Sequence, residues 1–102
     1  MFTVKETPYF QHEAAKVWST AQREEFIDWI SENPMAGDVI PGVGSLHKVR
    51  WSRQGVGKRG GARVIYFNRI EAGFLVLLTV YAKSVDDSLS VEFMRRLAAL
   101  EG

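Results

Sequence analysis

Lys48 and Arg50 lie two residues apart in a stretch that alternates apolar and polar, and Arg63 opens the next β-rich stretch. Side chains two apart on a strand point to the same face. Lys48 and Arg50 therefore share a face, which Arg63 joins if the two stretches pair. Three cations on adjacent strands can surround one phosphate. They belong to a larger bias in charge. Seven of the thirteen Lys and Arg residues fall between Val39 and Ile70, a stretch without Asp or Glu. These are Lys48, Arg50, Arg53, Lys58, Arg59, Arg63 and Arg69. The stretch carries +7 and the remaining 70 residues −6, which together give the net +1. A local field of that strength attracts a polyanion, and a phosphate backbone is the commonest one.

Other groups narrow the chemistry. Four glycines surround Lys58 and Arg59 between Ser52 and Gly61. This is not a nucleotide-binding phosphate loop, because Lys58 precedes Arg59 and not Ser or Thr, and no strand-to-helix context surrounds it. It reads as a hairpin connection that lays two cations and several backbone N–H groups on a phosphate chain. There are no cysteines and only two histidines, so thiolate metal sites are excluded and a zinc site is not expected. The basic stretch lacks carboxylates for magnesium, and nuclease chemistry on it has to proceed without a metal. By alternation His47 falls on the face of Val49 and Trp51, as a structural residue. Among the aromatics, Tyr66 and Tyr81 are the candidates to stack on unpaired bases, since a phenol tolerates a wet edge.

The elements that must hold these residues are readable in outline. Phe2 to Lys5 alternates like a half-buried strand. Thr7-Pro8 starts a helix reaching about Trp18. Ser19-Thr20-Ala21-Gln22 fits a capping box for a second helix, with Phe26, Ile27 and Ile30 on its apolar face. Asn33-Pro34 stops it, and Met35 to Ser45 is rich in turns. Leu46 to Trp51, Arg63 to Asn68 and Phe74 to Ala82 read as three strands in an antiparallel meander, the last the most apolar and central. Ser90 caps a final helix with Phe93, Leu97 and Leu100 as its core stripe. At 102 residues the chain is one domain with one core. The expected fold is α+β, in the order β-α-α-β-β-β-α, with the helices packed on one sheet face. Its start has no secretory-signal pattern, and its longest apolar run is too short to cross a bilayer as a helix. A cytoplasmic location without membrane partners is expected.

The segments Pro34 to Gly42, Leu46 to Trp51 (LHKVRW), Gly57 to Tyr66 (GKRGGARVIY) and Val80 to Lys83 (VYAK) resemble the RelE/ParE toxin superfamily of bacterial toxin–antitoxin modules. The likeness is to the HigB-type branch of RelE toxins and runs over nearly the whole chain. It implies a small, cofactor-free, metal-independent endoribonuclease, an mRNA interferase acting in the ribosomal A site. A cognate antitoxin would hold it inactive, and the pair would bind operator DNA through the antitoxin. By position, Lys48 and Arg50 match the family's paired basic residues, Arg63 the arginine of the following strand, and Lys83 the lysine closing the last strand. Two features depart from the family pattern. Ser84 stands where many relatives have an arginine, and Ser88 to Val91 has no tyrosine where many place a catalytic one.

The resemblance implies attack by an RNA 2′-hydroxyl on the adjacent phosphate, leaving a 2′,3′-cyclic phosphate and a 5′-hydroxyl. Crowded cations disfavour one another's charge, so a lysine among them is the candidate base, and Lys48 takes that part. Arg50 and Arg63 cannot deprotonate and are assigned to transition-state charge. Lys83 positions the phosphate or protonates the leaving group. Arg53, Lys58, Arg59, Tyr66 and Tyr81 are assigned to RNA contact. The alternatives are a ParE-like inhibitor of DNA gyrase and a non-catalytic module that binds RNA or the ribosome.

Overall fold

A computed structural model describes residues 2–44, 46–51, 61–82 and 89–101. The elements run β1 (Thr3–Glu6), α1 (Pro8–Val17), α2 (Thr20–Glu32), β2 (Asp38–Val39), β3 (Leu46–Trp51), β4 (Ala62–Arg69), a 3₁₀ turn (Ile70–Ala72), β5 (Phe74–Ala82) and α3 (Val91–Glu101). The five strands form one sheet in the order β1-β5-β4-β3-β2. β3, β4 and β5 make the expected antiparallel meander. β1 adds to it in parallel, Val4 opposite Leu75, and the short β2 extends the other edge.

The local signals act as their chemistry requires. The Thr7 hydroxyl accepts from Phe10 N at 3.1 Å and donates to Leu77 O at 2.9 Å, capping α1 and tying its start to β5. Ser19 and Gln22 close the capping box at 3.2 and 2.9 Å. Ser90 Oγ accepts from Phe93 N at 3.0 Å at the start of α3. Gly73 takes φ +86°, which glycine adopts without a Cβ penalty, and so joins the 3₁₀ turn to β5.

Both faces of the sheet are buried along β4 and β5. α1 and α2 cover one, where Phe10, Ala14, Phe26 and Ile30 pack on Val49, Val64, Tyr66, Leu75, Leu77 and Val80. The expectation of helices on one face holds for these two, while α3 lies on the other. There Met94 and Leu97 pack on Leu46, Ile65, Phe67, Val76 and Leu78, with Phe93 half-buried beside them. The reason is in β4 and β5, whose Val64–Phe67 and Leu75–Val80 runs are buried throughout. A strand that is apolar on both faces needs cover on both.

Candidate phosphate-binding face

The face of β3 and β4 that carries Leu46, Ile65 and Phe67 also carries the cations. Along β3, His47, Val49 and Trp51 turn toward α1 and α2, whereas Lys48 and Arg50 stand exposed on the opposite side. In register, Arg50 lies directly opposite Arg63, and Lys48 opposite Ile65. Directly opposed residues have Cβ atoms roughly 4.5–5.5 Å apart and diagonal ones about 7–8 Å. Lys48, Arg50 and Arg63 thus occupy one small patch within reach of a single phosphate.

Tyr81 reaches this patch through an irregularity in β5. Opposite Ile65 the partner is Thr79, but opposite Tyr66 it is Leu77, so Leu78 is the extra residue of a bulge. Before it Leu75 and Leu77 face α1 and α2; after it Val80 does. The alternation has shifted by one. Tyr81 therefore falls on the α3 side, half-buried and directly opposite Arg63. Bulges commonly re-aim a side chain in this way. Arg50, Arg63 and Tyr81 form one row across three strands.

Tyr66 is placed otherwise than expected. It is fully buried on the α1/α2 face, where His47 stacks on it with ring centroids 5.5 Å apart. Its assignment to base stacking is corrected: Tyr66 and Arg63 are three apart on one strand, so they point to opposite faces. Its hydroxyl donates to Pro34 O at 3.0 Å and accepts from Gly37 N at 3.0 Å. Asn68 Nδ2 donates to the same Pro34 O at 2.8 Å. Burial, reinforced by Asp38, raises the phenol above its ordinary value against the lowering bond from Gly37. Tyr66 is a neutral clamp on the turn after α2.

That clamp positions a residue that lies just outside the basic stretch. Asp38 opens β2 and pairs with Lys48. It shares the cationic face, as does Ile40, which packs with the α3-side core. Two residues are too few to display a strand period, which hides this pairing in the turn-rich passage. Among the described residues no group of three or more His, Asp or Glu is placed to hold a metal ion, and no helix is long and apolar enough to cross a membrane. Arg53, Lys58, Arg59 and Lys83 lie outside the described residues.

No protein-family model matches the sequence. Solved structures do resemble the fold. A chain of the toxin–antitoxin complex RelBE2 from Mycobacterium tuberculosis matches with a TM-score of 0.64 at 20% identity, over 79% of this chain and 96% of that one. A double arginine-to-alanine mutant of the E. coli toxin RelE in the free state matches at 0.61 and 16%, over 93% and 94%. The isolated E. coli RelE toxin matches at 0.59 and 15%, over 98% and 99%. With its sheet order, its two N-terminal helices and its closing helix, the chain has the fold of the RelE-like toxins.

Proposed function

We propose that this protein is the toxin of a type II toxin–antitoxin module and acts as a metal-independent endoribonuclease on translated mRNA in the ribosomal A site. The observation that carries the reading is the row of Arg50, Arg63 and Tyr81, with Lys48 beside it, on one face of a RelE-like sheet. Arg50 and Arg63 neutralise the charge that builds on the phosphorus-bound oxygens as the 2′-oxygen attacks, an interaction strongest in the transition state. Tyr81 offers a ring edge and a hydroxyl to the adjacent nucleotide. Lys48 exchanges a proton with the reacting oxygens, and Lys83 helps to hold the phosphate. Arg53, Lys58 and Arg59 add sequence-independent attraction to the RNA backbone. A cognate antitoxin covers this face and keeps the toxin silent in the cytoplasm, and the complex binds its operator through the antitoxin.

The test is induced expression with mapping of cellular mRNA 5′ ends by primer extension, beside an Arg63→Ala control. The expected result is cuts at a fixed phase within codons, confined to translated regions and lost in the variant. Growth arrest with intact mRNA and damaged DNA would replace this reading with a gyrase inhibitor. RNA or ribosome binding without any product would leave a non-catalytic module.

A further inference from the structure

We infer that Asp38 belongs to the reactive site and takes the proton from the attacking 2′-hydroxyl, with Lys48 as the acid beside it; this rests on the ribonuclease reading above. Apart from Tyr81, whose phenol is neutral, every other group assigned to the reaction is a cation, and an arginine cannot accept a proton at any working pH. A carboxylate is a proton and hydrogen-bond acceptor and is one of the usual general bases. Asp38 is the carboxylate on the cationic face of β2, and its register places it directly opposite Lys48 and diagonal to Arg50. By sheet geometry its Cβ stands roughly 5 Å from that of Lys48 and about 7–8 Å from that of Arg50. Its side chain is exposed and open to substrate.

The backbone around Asp38 is held from both sides. Gly37 N donates to the Tyr66 hydroxyl at 3.0 Å. A Cβ on Gly37 would lie 2.7 Å from that oxygen and 2.9 Å from Lys48 O, so the chain approaches β3 as closely as only glycine permits. On the other side, Ile40 N donates to Leu46 O at 3.0 Å, and Arg95 of α3 makes two bonds to Gly42 O at 2.9 and 3.2 Å. A two-residue edge strand does not otherwise stay in register. Here it presents one short carboxylate at a fixed place.

The step balances within the pair. The 2′-oxygen bonds to phosphorus as its proton passes to Asp38. The bond from phosphorus to the 5′-oxygen breaks, its electron pair stays on that oxygen, and Lys48 supplies the proton. One proton passed from Asp38 to Lys48, directly or through water, restores both. This arrangement needs no tyrosine at the start of the last helix, where this chain has none.

The experiment compares wild type, Asp38→Asn and Asp38→Glu in single-turnover cleavage of a defined mRNA on programmed ribosomes. Binding is measured in parallel to the same RNA with a 2′-deoxy residue at the cut. Asp38→Asn should lose about 10²-fold or more in rate with binding equal or tighter, because a negative charge beside the phosphate is gone. Asp38→Glu should recover part of the rate. An Asp38→Asn rate within threefold of wild type overturns the proposal while leaving the ribonuclease intact. A loss of rate with an equal loss of binding, or with no recovery in Asp38→Glu, makes Asp38 merely structural and also overturns it. A wild type that cuts no RNA in this assay refutes the ribonuclease reading itself.

Discussion

Gly37 and Tyr66 make the sharpest test of how the site is held. In Gly37→Ala the new Cβ would sit 2.7 Å from Tyr66 Oη, 2.9 Å from Lys48 O and 3.0 Å from Tyr66 Cε1. Two of these atoms belong to a fully buried side chain and one to β3 backbone, so none can yield without moving the sheet edge. Overpacking of this kind costs about 1–3 kcal/mol. For a domain of this size that lowers Tm by about 4–8 °C per kcal/mol. Tyr66→Phe removes the hydroxyl instead. It strips the Gly37 N–H of its partner, while Pro34 O keeps Asn68, and it should cost about 1–3 kcal/mol. In the double variant the closest contact has gone but Lys48 O remains. The combined loss should fall short of the sum of the two singles by about 0.5–3 kcal/mol. Urea denaturation of all four proteins measures this, with m unchanged. Additivity within about 0.5 kcal/mol, or a Gly37→Ala midpoint equal to wild type, would refute the clamp.

Three further outcomes follow. Arg50→Ala should slow cleavage by about 10²- to 10³-fold and flatten the salt dependence of RNA binding by about 0.7 in log–log slope, with urea midpoints unchanged because the side chain is exposed. Thr7→Val keeps the shape but deletes a buried hydroxyl that both caps α1 and bonds β5; a loss of about 1–3 kcal/mol in urea denaturation is expected. Tyr66 has its folded-state pKa raised by burial. Its contribution to stability is whole below the ordinary phenol value of about 10 and declines as pH rises from there through the folded pKa. Tyr66→Phe should make the decline shallower in urea midpoints taken across alkaline pH, the part due to Tyr9, also raised by burial, remaining.

The parts legible in the sequence are those with a local period or a local cap. Leu46 to Trp51 alternates cleanly, and its two faces fall as the alternation requires, with Lys48 and Arg50 outward against Val49 and Trp51. Thr7, Ser19 and Ser90 each signal a helix start that the structure bears out. The parts that escape depend on partners far away in the chain. β1 pairs with β5 across about 70 residues, and no window along the sequence contains both. β2 is two residues long, below the length at which alternation means anything. The position of α3 follows from a feature the sequence does display: a nine-residue strand apolar on both faces requires a second layer, and α3 is what the chain has left to supply it.

The two tyrosines show where alternation suffices and where it fails. On β4 the period runs unbroken, so placing Arg63 at the site already sends Tyr66 to the other face. Alternation alone therefore forbids assigning both to one RNA surface. On β5 the same rule misleads. Counted from the buried pair Leu75 and Leu77, a strict period of two would turn Tyr81 toward α1 and α2, away from Arg63. The extra residue at Leu78 reverses that. A bulge leaves one residue without a partner in the ladder, and the favourable offset here is that Leu78 stays fully packed, 2% exposed, against the α3-side core. The irregularity is thus tolerated at little cost in apolar burial and brings an aromatic hydroxyl opposite Arg63. Deleting Leu78 would remove the bulge and leave Tyr81 opposite Arg63, so the substitution Tyr81→Ala is what takes the ring out of this row. If the proposed reaction uses that ring, Tyr81→Ala must lose RNA binding beyond what its loss of stability explains, and retained binding in a folded Tyr81→Ala variant would remove Tyr81 from the site.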